Sequence, residues 1–138
     1  MEEKERKLQE MYMEFQELEQ HIKQMQKQLE MITNQLMELN MTRNSLDEFV
    51  NIKPGKEVFV PLSSGIFVKG VISDTSGLLV NVGANVVVKK DIPSTKKLIE
   101  NQMEEIKKIQ KQIVDELESM TNRASQIETQ LQGMVSGV

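Results

Sequence analysis

The chain has 138 residues, with Cys 0, Trp 0, Met 10 and a formal net charge of -4. This length suits one domain, yet a hydrophobic fraction of 38% confined to helical stripes and short strands leaves little for a large core. The lack of cysteine excludes disulfides and thiolate chemistry, and the acidic balance argues against nucleic acid, because such a surface repels phosphates.

The segment Glu2 to Lys7 is charged throughout and holds no apolar stretch of signal-peptide type. The longest apolar run, Gly77 to Val88, is broken by Asn81 and Asn85 and is too short to span a bilayer. A cytoplasmic protein without a membrane partner is the expectation.

From Leu8 to Val50 apolar residues recur at alternating steps of three and four. With Leu8 at heptad position a, the a set reads Leu8, Phe15, Ile22, Leu29, Leu36, Arg43 and Val50. The d set reads Met11, Leu18, Met25, Ile32, Leu39 and Leu46. Only Arg43 interrupts this seam, marking either a local bend or an ion pair between helices. Glu, Gln and Lys, all good helix formers, fill the surface positions. The pattern predicts a coiled-coil helix over residues 1–51. Pro54-Gly55 cannot continue it.

Residues 52–92 form an assembly region of four short strands. The first is Glu57–Leu62 and the second Gly65–Ser73, turning at Ser63-Ser64-Gly65. The third is Leu78–Val82 and the fourth Asn85–Lys90, joined across Gly83-Ala84. Alternation points Leu78, Val80, Val82, Val86 and Val88 one way, with Asn81, Asn85, Val87 and Lys89 the other. Pro61 lacks a ladder donor and suggests an edge strand. Isolated hairpins are marginal in water and valine-rich edges invite pairing, so strands from several subunits are expected to join in an intersubunit β-barrel or sandwich.

A second coiled-coil helix is predicted over 93–138, capped by Asp91, Ser94 or Thr95 with Pro93 in its first turn. Its seam is Ile99, Met103, Ile106, Ile113, Leu117, Met120, Ala124, Ile127, Leu131 and Met134, with Gln110 beside Ile109 at one seam position. Gly133, Ser136 and Gly137 suggest that the last turn frays. Two helices of similar length with a compact connector imply an antiparallel hairpin, placing Val50 near Ile99 and Leu8 near Met134. The fold class is therefore α+β: a long antiparallel two-helix coiled coil with two small β-hairpins inserted between its helices.

No catalytic constellation emerges. His21 is the single histidine and sits beside the seam without a second metal ligand. Asp74-Thr75-Ser76-Gly77 resembles an acid-protease loop but lacks its spacing and second copy, so a turn is expected. Pro54-Gly55-Lys56 lacks the glycines of a phosphate cradle. Asn40-Met41-Thr42 matches a glycosylation sequon without a secretory context. Neither a cofactor nor a metal is implied. Met13, Met31, Met37 and Met41 fall outside the seam, as does Tyr12. The antiparallel register gathers Leu8, Met11, Tyr12, Met13 and Phe15 with Ile127, Leu131, Met134 and Val135 at the tip. Flexible, polarisable side chains of this kind suit binding of varied apolar segments.

Helix, two β-hairpins and helix, without a catalytic motif, resembles prefoldin, and within that family the archaeal alpha type. The likeness is carried by Val60-Pro61-Leu62-Ser63-Ser64-Gly65-Ile66-Phe67-Val68-Lys69-Gly70, by Asp74-Thr75, and by Leu79-Val80-Asn81-Val82-Gly83-Ala84-Asn85-Val86-Val87-Val88-Lys89-Lys90. The resemblance covers the whole chain in architecture and its middle quarter in motif, making residues 1–138 a single prefoldin-like domain. It implies a chaperone without enzymatic activity, built as a hexamer of two alpha and four beta chains around two β-barrels. Its helical tips would hold non-native clients without ATP and deliver them to a group II chaperonin. Carried over by position, the oligomerisation residues would be Val58, Val60, Leu62, Ile66, Val68, Val80, Val82, Val86 and Val88. Two rival expectations are a filament or scaffold assembled through the hairpins, and a helical spacer with inert tips. An RNA-gripping arm is disfavoured by the acidic surface.

Overall fold

The computed structural model describes residues 2–136. Its elements follow in the order α1 (Glu2–Phe49), β1 (Lys56–Ser63), β2 (Ile66–Ile72), β3 (Leu78–Gly83), β4 (Val86–Lys90) and α2 (Ile92–Ser136). Two long helices thus bracket two β-hairpins, which is the expected fold class. The chain divides into two compact units, one holding the chain up to Leu36 and from Ile106 onward, the other Met37–Glu105.

In the first unit the two helices run antiparallel. Arg123 Nε donates to Glu14 Oε1 at 3.0 Å, and Gln110 Nε2 to Thr33 Oγ1 at 3.3 Å. Every a and d residue from Leu8 to Leu36 is at least partly buried, as the heptad requires. Across from them Ile113 and Ala124 are buried, and Ile127 is fully covered at 0% exposure. Gln110 keeps its seam position while neighbouring Ile109 faces outward. The Thr33 hydroxyl satisfies the amide, and a polar group inside an apolar seam fixes register at a cost in stability. Gly133 and Ser136, read in sequence as signs of fraying, both lie within α2. Ser136 Oγ donates to Gln132 O at 2.6 Å; Gly137 lies outside the described residues.

In the second unit Leu46, Ile99 and Met103 are buried. Lys96 Nζ lies 2.6 Å from Asp47 Oδ1. Hydrogen bonding to that carboxylate, then its charge, raises the Lys96 ammonium above its ordinary value. Among the described residues Arg43 does not form the helix-to-helix ion pair considered for it. Helix α1 continues through it, and its Nη2 donates to Asn40 Oδ1 at 2.8 Å within the same helix. Val50 is not a seam residue either. The helix ends at Phe49, where Asn51 N→Glu48 O at 3.1 Å and Ile52 N→Phe49 O at 3.0 Å tighten the turn, leaving Val50 61% exposed. Among the three candidate caps of α2, Asp91 takes the role: its Oδ1 accepts the Ser94 amide at 2.8 Å and its carbonyl the Thr95 amide at 3.0 Å.

Each hairpin is a separate two-stranded sheet. In the first, Val60 pairs with Val68, Pro61 with Phe67 and Ser63 with Ile66. In the second, twenty positions on, Val80 pairs with Val88, Asn81 with Val87 and Gly83 with Val86. The two hairpins therefore repeat one register, and in both a bulge falls at the same place, at Leu62 and at Val82. A bulge leaves its residue without a ladder partner and twists the strand. Val82 consequently departs from the strict alternation expected of it, and Leu62 takes the same place in the first hairpin. Asn85, expected in the fourth strand, sits in the turn instead: Ala84 (φ 49°) and Asn85 (φ 61°) are both left-handed, as a type I′ turn requires.

Three outcomes follow from these contacts. Ile127→Ala should destabilise the helix pair by about 2–5 kcal/mol in urea unfolding, against well under 1 kcal/mol for Ile109→Ala. Ala84→Asn should stabilise the second hairpin by about 1 kcal/mol, since asparagine tolerates the left-handed region that alanine resists, seen as slower amide exchange in β3 and β4. Hydrogen bonding from Ser94, side chain then backbone, holds the Asp91 carboxyl below its ordinary value. That contribution is full above the ordinary carboxylate value and disappears as pH falls through the lowered one. The Ser94 and Thr95 amide resonances should then move to frayed positions in acid, and should occupy them already at neutral pH in Asp91→Ala.

Candidate functional site

The first unit carries an open groove of about 790 Å³ between the beginning of α1 and the end of α2. Leu8, Tyr12 and Phe15 line it from one helix, Leu131 and Val135 from the other, with Gln16, Glu19, Glu128, Gln132 and Ser136 as polar lining. A smaller hollow of about 360 Å³ continues it along the helices, sharing Phe15, Glu19 and Glu128 and adding Ile22, Lys23, Gln26, Thr121, Ala124 and Ser125. The sequence creates this opening locally. At the heptad flank e, where a charged residue commonly closes a seam, α1 places Tyr12, and α2 places Val135. On the opposite flank, g, Arg123 bridges to both carboxylate oxygens of Glu14, at 3.0 and 3.3 Å. One flank is closed by an ion pair, and the other lies open.

The residues expected at the tip divide into four groups. Leu8, Tyr12, Phe15, Leu131 and Val135 come together in the groove. Tyr12 and Val135 are 57% and 68% exposed, and Met13, 63% exposed, lies outside the lining. Met11 and Met134 are partly buried in the seam. Ile127 is corrected to a packing residue, since a side chain without exposed surface offers nothing to a bound partner. Glu19 and Glu128 were not among the expected residues. Their e positions next to Phe15 and Ile127 were the available sign.

The second candidate surface is the pair of hairpins. Residues opposite one another in a ladder share a face, which puts Val58, Val60, Val68 and Ile72 on one side of the first hairpin. Val60, Leu62, Ile66, Val68, Val82 and Val86 are exposed, while Val58, Val80 and Val88 are partly covered. The other face also exposes apolar side chains: Phe59 and Phe67 beside Val71 in the first hairpin, Leu79 and Val87 beside Asn81 and Lys89 in the second, with Phe59 73% and Leu79 78% exposed. Sequence reasoning named only the first face. On the second, Lys69 Nζ reaches Glu57 Oε2 at 2.9 Å beside Phe59.

The loop Asp74–Gly77 forms a local turn, the Ser76 amide and hydroxyl both donating to Asp74 Oδ1 at 2.8 and 2.6 Å. Those bonds, ahead of the Lys89 charge, hold its carboxyl below the ordinary value. Among the described residues no group of three or more His, Cys, Asp or Glu could hold a metal ion. No helix among them is long and apolar enough to cross a membrane.

Comparison with known proteins agrees with this architecture. The family model for prefoldin subunits matches residues 18–136. The prefoldin subunit alpha of Methanobrevibacter smithii is 29% identical over 118 residues, covering 80% of this chain and 80% of that protein. That of Methanococcus aeolicus is 26% identical over 131 residues, covering 95% and 89%. In structure, a chain of the filamentous PFD from Methanocaldococcus jannaschii superposes with a TM-score of 0.75 over 84% of this chain and 96% of its own, at 15% identity, a likeness of fold. With a family match over most of its length and alpha subunits among its relatives, this chain belongs to the prefoldin family and is of the archaeal alpha type.

Proposed function

We propose that the chain is an ATP-independent holdase subunit that grips non-native proteins in the groove between the ends of its helices. The supporting observation is the open e flank, where Tyr12 and Val135 stand largely exposed over an apolar floor. Exposed apolar side chains so grouped are costly on a soluble surface unless they serve binding. Each groove alone would be a weak site, and several on one assembly would sum by multivalency. The same reading assigns the hairpins to assembly with beta-type subunits and a second alpha chain, two alpha to four beta, and the client to a group II chaperonin. It places the protein in the cytoplasm and includes no catalytic step.

A second reading, assembly into a filament or scaffold through the hairpins, is favoured by their apolar faces and unpaired edges and by the filamentous relative of like fold. Light scattering separates the two: particles that grow without a beta-type partner favour the filament, and a fixed hexamer-sized species with the partner favours the subunit.

For the groove itself, the chain assembled with its partner should suppress aggregation of a chemically denatured protein without ATP. Tyr12→Ser with Val135→Ser should weaken suppression roughly tenfold, the loss of two apolar anchors removing about 1–2 kcal/mol. Met31→Ser, exposed but outside the groove, serves as the comparison. Undiminished suppression by the groove variant refutes the assignment.

A further inference from the structure

The two flanks of the helix pair differ in how their acids are satisfied. Glu14 on the closed flank is neutralised by Arg123 at 3.0 Å. Glu19 and Glu128 line both hollows of the open flank, at their junction, and are the charged residues of the larger one. Among the described residues neither of these two carboxylates forms an ion pair. Apolar lining continues to either side of them, with Tyr12 and Leu131 in the larger hollow, Ile22 and Ala124 in the smaller, and Phe15 in both.

An occupant lying along this groove must cover the junction. Lys23 is the one cation in the lining of either hollow and, among the described residues, forms no ion pair with Glu19 or Glu128, so the two acids still outnumber it. A wholly apolar segment would strip water from both carboxylates without supplying a partner of its own, which is unfavourable. An acidic segment would be repelled. A cation set between two apolar stretches would satisfy the carboxylates while its neighbours fill the hollows, and arginine suits this best because its five donors can bond one carboxylate through both oxygens and still offer N–H groups to a second. We infer that the groove selects apolar client segments interrupted by an arginine or lysine, the cation meeting Glu19 and Glu128. The inference rests on the groove being the client site and specifies its client class. A holdase with this preference would take segments that are apolar on both sides of a basic residue and pass over equally apolar segments that carry acid.

The test uses the full chain and two fluorescent peptides, alike except that one has a central arginine and the other citrulline, its uncharged isostere. Fluorescence anisotropy at low salt should show the arginine peptide binding about threefold to tenfold more tightly. That ratio should fall toward one in roughly 1 M salt, where exposed charges are screened, and in the E19Q/E128Q variant. Glutamine preserves helix propensity, and the salt series on the unaltered chain gives a readout independent of any variant. Equal affinities at low salt, or a preference that persists in E19Q/E128Q, overturn the inference. If the affinities are equal and both are weakened by Tyr12→Ser with Val135→Ser, the charge preference is refuted and the groove survives as the client site. If neither peptide binds, both readings fall.

Discussion

Burial is scarce in this molecule, and its distribution governs the rest. The buried apolar side chains among the described residues are Leu46, Ile99, Met103, Ile113, Ala124 and Ile127, and all of them belong to α1 or α2. A pair of helices meets along one seam, so each contributes a narrow stripe and leaves its other faces to solvent. A two-stranded hairpin has no second layer at all and stays marginal until something covers it. The helices therefore carry the fold, and the strands remain in want of a cover.

The hairpins show how that want is organised. Their ladders repeat twenty positions apart, down to a bulge at Leu62 in one and Val82 in the other, so that one chain offers two closely similar strand pairs. Both faces of the first pair expose apolar side chains, Val60 and Val68 on one side and Phe59 and Phe67 on the other, and the second pair adds Leu79 and Val87 beside Asn81 and Lys89 on its second face. A face that met only water would seldom carry two phenylalanines. Covering on both sides suits membership of a layered or closed assembly better than pairing at one edge alone.

The helix pair divides its labour between its flanks. The g flank spends its charges on itself through Glu14 and Arg123, which orients the helices but adds little stability at an exposed position. The e flank withholds such a pair and offers Tyr12 and Val135 above Phe15 and Leu131. Ile127, one position before Glu128 of the lining, is wholly covered and belongs to the seam. An open groove over a closed seam allows contact with a partner while the helices remain paired.

The sequence by itself determined the elements and most of their contents, because helical and strand periods are local properties of a chain. Heptads from Leu8 to Leu46 and from Ile99 to Met134 named the seam, and glycine-bearing turns at Gly65 and Gly83 named the hairpins. Its errors fell where a local pattern meets a neighbour. Val50 continued the heptad in sequence, but the turn after Phe49 had already released it. Asn85 gave up its strand position to a left-handed turn. Only the tertiary structure decided which acids find a partner across the helices: Glu14 is bridged by Arg123, while Glu19 forms no ion pair among the described residues. Their heptad positions, g and e, assign them to opposite flanks, but whether α2 brings a cation such as Arg123 or an acid such as Glu128 within reach is a matter of proximity between helices, which periodicity alone does not encode.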